Sequence, residues 1–309
     1  MTASAAPGGS LLRGSRRRRR NEAAVRGALF AAAALSILIS VGIVLSLVFE
    51  AVSFLSQIEL SQLVAPGWFP RRGMFSIATV VVGTLIVTVI AMTIAAPVGL
   101  GSAIYLSEYA TPRVRGIVKP ILEILAGIPS VVLGFFALTW ISPNIVQNLF
   151  PEAKGFSLMA AGIGVGVLTI PLVASISEDA MRAVPNALRE ASYGLGSRRL
   201  TTSVRVIVPA AISGIVAALI LATSRAIGET MVVALAAGAS GGSLFTVDPL
   251  GPGQTLTAAM ASLAAGSDQV AGANAAFQSL FFLGLLLFLM TLVLNVIADT
   301  FVRRTRQKY

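Results

Sequence analysis

Long apolar runs alternate with short polar connectors along this chain. Six runs stand out, at about 28–49, 76–97, 117–141, 156–176, 208–236 and 276–298. Each is near the roughly 20 residues an α-helix needs to cross a bilayer, and the roughly 10-residue alternation of an outer-membrane strand is absent. The pattern predicts an all-α integral membrane protein with six transmembrane helices. The second run is expected to stay helical to about Ser107. The fifth is longer than a bilayer needs, which predicts tilt or a start outside the hydrocarbon. Four segments follow: a basic tail at 1–27, disordered over residues 1–20; a first helix with its connector at 28–75; a helical core at 76–298; and a second basic tail at 299–309.

Two connectors have patterns of their own. "SFLSQIELSQLV" followed by "APGWFP" predicts an interfacial amphipathic helix ended by Pro66 and Gly67, with Trp68 at the headgroup level. The connector at about 238–275 is rich in Gly, Ala and Ser and contains a short helix pattern, "TLTAAMASLAAG"; it has room to dock an external partner. Within the fourth run, "GIGVG" (Gly162 to Gly166) is a small-residue pattern suited to close helix packing. No strand precedes it, so it is not a dinucleotide fingerprint. No internal repeat is visible.

Composition agrees with the pattern and removes several chemistries. Hydrophobic residues make up 56% of the 309 and charged residues only 12%, about half the charge of a soluble domain. With no Cys and no His, thiolate nucleophiles, disulfides, His bases and the usual zinc sites are excluded. No G-x-x-x-x-G-K-[ST] loop occurs, so this chain does not bind ATP by a P-loop. No catalytic residue, metal ligand or cofactor is expected on it.

The net charge of +10 would suggest nucleic acid in a soluble chain, but position argues otherwise. Of the 23 Lys and Arg, 19 fall in the first tail, the connectors at 113–119 and 182–205, and the last tail. Only Arg71, Arg72 and Lys154 lie on the other side, and Arg225 lies inside a run. The positive-inside rule then puts both termini in the cytoplasm, with lipid rather than nucleic acid as the partner of the charge. "RRRRR" before an apolar run imitates a secretion signal, but 28–48 is too long for one and reads as a retained anchor.

The connector "SEDAMRAVPNALREASYGLGSRRLTTSVRVIVP" is polar but not of low complexity. Pro185 suits a first helical turn, Gly194 and Gly196 suit a helix end, and Ser197 can cap a second helix, "RRLTTSVRV". A helix–turn–helix along the membrane face is expected. Ala187, Leu188, Ala191 and Leu195 would form its apolar side, and Arg189 and Glu190 its charged side.

"EASYGLG" followed by "VIVP" resembles the EAA signature of the permease subunits of ATP-binding-cassette importers, E-A-A-x-x-x-G and then I-x-L-P. Glu190, Ala191, Ser192 and Gly196 match its first part, and Val206, Val208 and Pro209 its second. Ser stands for the second Ala, and Val for Ile and Leu. "APVGLGSAIYLSEYA", "EILAGIPSVVLGFFAL", "MRAVPNALREASYGLG" and "RAIGETMVVALAAG" extend the resemblance over residues 76–298, to phosphate-specific permeases, and closer to their PstC-type than their PstA-type subunit. The resemblance implies the type I importer permease fold, in a bacterial plasma membrane. It implies that Glu190 to Gly196 engage the ATPase. It also implies a PstA-type permease, two ATPase subunits that hydrolyse ATP, and an external phosphate-binding protein as partners.

In the fifth run, "SRAIGET" places Arg225 and Glu229 at bilayer depth, where a charge costs at least about 2.5–3.5 kcal/mol. Four residues apart, they would share one helix face. Three readings compete: a self-neutralising lock between helices, a station in a proton relay, or an Arg that meets an anion in a pathway and an acid that holds it. Leu would make a cheaper lock. A relay would need further stations, and no second buried carboxylate is evident in the runs. The third reading fits best, because a guanidinium fork matches phosphate oxygens and related anion permeases place an Arg and an acid here. Ser130, after Pro129, and Thr84, after Gly83, are further pathway candidates, for which helix packing is as good an account. Sulfate or molybdate would meet the same Arg, and an ion-coupled carrier or channel is the alternative without an ATPase.

Overall fold

A computed structural model describes residues 16–238, 241–266 and 274–305 of the chain. It divides into two units, up to Phe49 and from Glu50 onward. The first unit, as described, is helix α1 (Arg16–Gln57) up to that division. This helix is 42 residues long, or about 63 Å, and starts well before the expected residue 28. Arg and Ala are good helix formers, so Arg16 to Arg20 extend it and are not irregular. Residues 1–15 lie outside the described residues.

The second unit is a helical bundle with a small cap at one end. After α1 come a 3-10 turn (Leu60–Val64) and two strands, β1 (Gly67–Phe69) and β2 (Met74–Phe75). With β3 (Ser243–Leu244) they form an antiparallel sheet in the order β2-β1-β3. Trp68 does not lie at an interface as expected. It is 1% exposed and meets Phe75 edge-on at 5.9 Å, and Phe75 meets Phe54 at 4.9 Å. Pairing of β1 on both sides turns this ring into the cap's core.

Helices α2 (Ile77–Ile104) and α6 (Leu158–Arg182) form the centre of the bundle, each opened by a serine whose hydroxyl accepts a third-residue N–H: Ser76 from Thr79 and Ser157 from Ala160. They run parallel, since Gly162, Gly166 and Val173 meet Ile90, Ala91 and Gly99 in the same order. A Cβ at Gly162 would stand 2.7 Å from the Ile90 Cβ, so the "GIGVG" pattern is a packing surface, as expected. A π-helical turn (Tyr105–Tyr109) carries α2 past residue 104.

The third crossing lies elsewhere than expected. Instead of 117–141, the chain forms α3 (Pro112–Ala126) and then, after Gly127–Pro129, α4 (Ser130–Phe136), which continues through a π-helical stretch (Ala137–Val146) into α5 (Gln147–Leu149). Pro129 drives Ile128 out of the helical region and ends α3. The segment long and apolar enough to cross is Ser130–Leu149. Helix α3 is inverted: Val114, Ile117, Ile121 and Ile124 are exposed, while Arg115 and Lys119 reach inward to Glu178 of α6.

The fifth crossing is not one helix either. After α7 (Asn186–Gly194) come α8 (Arg199–Thr202), a π-turn (Ser203–Ile207) and α9 (Val208–Ala210). The chain then bends by 72° into α10 (Ile212–Ile227), breaks over Gly228–Thr230, and resumes as α11 (Met231–Ala236). The short helix expected near 255 is α12 (Leu256–Ala265), capped by Thr255. It is not a loop helix, because Leu256, Ala258 and Ala259 are buried in the bundle. Helix α13 (Asn274–Thr305) is the last crossing and runs on past 298; residues 306–309 lie outside the described residues. Among the described residues five helices are long and apolar enough to cross a membrane, or six if the bent pair counts as one.

Candidate functional sites

The helix–turn–helix forms, but neither of its expected sides stays together. Pro185 takes the position before α7, and Gly196 closes its end with φ +77, a left-handed conformation suited to glycine. There the Gly196 N–H donates to the Tyr193 carbonyl at 2.9 Å and the Ser197 N–H to the Ser192 carbonyl at 3.2 Å. The cap of α8 is Arg198, not Ser197. Ala187, Ala191 and Leu195 of the expected apolar side are exposed, and Leu195 is 88% so. Leu188 does pack inward. Arg189, expected to share the charged side with Glu190, is drawn inward to Glu108 at 2.9 Å. A buried carboxylate and two helix-end carbonyls outcompete water for it.

Of the residues matched to the EAA signature, Glu190, Ala191 and Gly196 are exposed and available to a partner. Ser192 is buried, its Oγ 2.8 Å from Thr202 Oγ1, and ties α7 to α8.

Glu178 is a buried carboxylate that the sequence reading missed. It is 0% exposed, with Lys119 Nζ at 2.7 Å, Arg115 Nε at 2.8 Å and Arg182 Nε at 3.8 Å. Arg115 Nε and Glu178 Oε1 are close but not aligned as a hydrogen bond, so the Lys119 contact is the stronger tie. Burial lowers the Lys119 pKa, but hydrogen bonds and charge from Asp179 and Glu178 outweigh it and hold the pKa above its ordinary value. The signal was the pair Arg115 and Lys119, four apart and so on one face of α3.

Arg225 and Glu229 do not share a helix face. Helix α10 ends at Ile227, with Gly228 as its cap. Arg225 lies in the last turn of α10, where a cation suits the helix dipole, and its side chain is exposed. It forms no ion pair among the described residues. Glu229 instead turns onto α11: its Oε1 accepts the N–H groups of Thr230 at 3.2 Å and Val232 at 3.4 Å. Beside Arg225, the Ser224 hydroxyl lies 3.5 Å from Asn295 Oδ1 of α13, a polar residue in the last run that the sequence reading passed over.

Thr84 is buried; it donates to the Val80 carbonyl at 2.7 Å and accepts the Leu256 N–H at 3.0 Å. Gly83 beside it leaves room for the Gln254 carbonyl. Thr84 thus seats the start of α12, and the next residue, Thr257, donates to the Glu229 carbonyl at 2.7 Å. Thr84 and Glu229 are joined through α12. Ser130, half-buried, opens α4 and makes no hydrogen bond to either of them among the described residues.

The bundle of crossing helices defines a multi-pass membrane protein, with a polar break between α10 and α11 and an exposed helix pair after α6. A profile of the binding-protein-dependent transport system inner membrane component matches residues 95–307. The phosphate transport system permease protein PstC of Mesorhizobium japonicum is 31% identical over 286 residues, covering 87% of this chain and 86% of that protein. The probable ABC transporter permease protein YqgH of Bacillus subtilis is 34% identical over 233 residues, covering 72% and 74%. In fold, the chain is similar to a subunit of a bacterial alginate ABC transporter solved with its periplasmic protein, at a TM-score of 0.65 and 15% identity, covering 94% and 98%. The chain belongs to the family of binding-protein-dependent transport system inner membrane components.

Proposed function

We propose that this chain is the PstC-type permease subunit of an ATP-driven importer that moves inorganic phosphate into the cytoplasm. Both termini are then cytoplasmic, as the basic connectors require. An external phosphate-binding protein delivers the anion, a PstA-type subunit completes the pathway, and two ATPase subunits engage Glu190, Ala191 and the exposed tip of α7. ATP is hydrolysed on those subunits and not on this chain.

The observation that carries the substrate is Arg225, an exposed guanidinium on a membrane helix with no ion-pair partner among the described residues. Its planar fork matches phosphate oxygens. Glu229 supplies negative charge nearby, which keeps the anion from binding too tightly to leave. Similarity to PstC proteins over most of the chain favours phosphate among tetrahedral oxyanions.

Losing one charge-assisted hydrogen bond, about 1.5–3 kcal/mol, corresponds to roughly ten- to a hundred-fold. Arg225→Gln in the reconstituted complex is expected to lower phosphate uptake by that factor while the subunits still co-purify. Uptake at the wild-type rate would remove Arg225 from the pathway.

A further inference from the structure

Two arginines, one from each helix of the helix–turn–helix, converge on the end of α2. That end is the π-turn Tyr105–Tyr109, and single π-turns often mark functional positions. Glu108 there is 4% exposed and Arg189 of α7 15%. Arg189 Nη2 donates to Glu108 Oε1 at 2.9 Å and Nε to Oε2 at 3.4 Å. The same guanidinium donates to the Met181 and Val184 carbonyls at 2.9 and 2.7 Å. Arg199 of α8 lies over the Tyr109 ring at 5.7 Å. Each helix therefore grips one of two neighbouring residues of α2.

The direct route along the chain is poorer. Between α7 and Arg225 the chain bends by 72°, and a hinged connection absorbs displacement. Helix α2 is a better rod. From Glu108 it runs about 35 Å to Thr84, braced along its length by α6. Thr84 holds the Leu256 N–H at 3.0 Å, and Thr257 holds the Glu229 carbonyl at 2.7 Å. A line of buried contacts thus runs from α7 through α2 and α12 to the break beside Arg225.

We infer that Glu108 is a positioning residue for energy coupling: it receives the motion of α7 and passes it through α2 and α12 to the backbone of Glu229. The inference rests on the reading that α7 meets an ATPase. A two-state element biased from both ends is what such coupling requires, and the inference assigns that part to the break at Gly228–Thr230.

The test uses the full complex in proteoliposomes, with ATP hydrolysis and phosphate uptake measured on the same preparation. Glu108→Gln is expected to keep the ATPase bound and hydrolysing while phosphate moved per ATP falls about tenfold, within the usual range of coupling between sites. Glu108→Asp, which keeps the charge, is expected to recover most of that ratio. An unchanged ratio in Glu108→Gln overturns the inference. So does loss of ATPase co-purification, which would make Glu108 a support for the docking surface, and so does a Glu108→Asp variant as uncoupled as Glu108→Gln. A wild-type complex that recruits no ATPase would overturn the functional reading itself, and this inference with it.

Discussion

Replacing Glu178 by Gln keeps the shape of the side chain and removes the one charge that Arg115, Lys119 and Arg182 share. Breaking a fully buried ion pair costs about 3–5 kcal/mol, because the remaining charge is stranded. Here the stranded cations are partly wet: Arg115 is 27% exposed, Lys119 21% and Arg182 47%. They can rehydrate, and Asp179 remains beside Lys119, so the cost falls to about 2–3 kcal/mol. At roughly 2–4 °C per kcal/mol for a large domain, the unfolding midpoint of the detergent-solubilised protein should drop by about 4–12 °C, read by loss of the monodisperse peak after heating. Lys119→Met should cost less, since Arg115 still covers the carboxylate, and the double variant should cost less than the sum of the two. The pair also sets a pH response. A folded-state pKa raised above the unfolded one gives stability that is complete below the unfolded value and is lost as pH rises through the folded one. The Lys119 contribution should therefore stay constant from neutral pH to the alkaline edge and fade only beyond the ordinary lysine range. A Glu178→Gln midpoint within a degree of wild type, or costs that simply add, would refute the account of a shared buried charge.

Two further outcomes follow from the packing. Thr84→Val leaves the buried Leu256 N–H without its acceptor, a loss of about 1–3 kcal/mol, expected as faster proteolysis within 238–275 while α2 itself stays protected; equal protection of that segment in both proteins would count against it. Gly162→Leu drives a side chain into Ile90, whose Cβ would stand 2.7 Å from the new Cβ, and it should lower the yield of folded protein sharply, whereas Gly101→Ala, with open space around it, should not.

How much could be read beforehand depended on whether a signal was local. The membrane class, the second, fourth and sixth crossings, the "GIGVG" surface and the helix at 256–265 all rest on periodicity or on short motifs, and these are local. The third crossing was misplaced because hydropathy treats Ile117, Ile121 and Ile124 as one run with "SVVLGFFAL", although Pro129 stands between them. The apolar stripe of α3 faces outward because its cations have a carboxylate to reach inside, and that carboxylate, Glu178, is about sixty positions further along the chain. Arg189 was grouped with Glu190 for the same reason: its partner Glu108 is 81 positions away. In a soluble helix charge facing outward is a safe default, but in a membrane bundle a buried counter-charge reverses it, and counter-charges are not visible in a window of eighteen residues. Arg225 and Glu229 show the converse. Their spacing invited a local pairing, yet Gly228 ends the helix between them, Glu229 caps α11, and Arg225 is left without a counter-charge among the described residues. A self-neutralising lock would have used that spacing; the break in the helix instead separates the two side chains and leaves the guanidinium exposed.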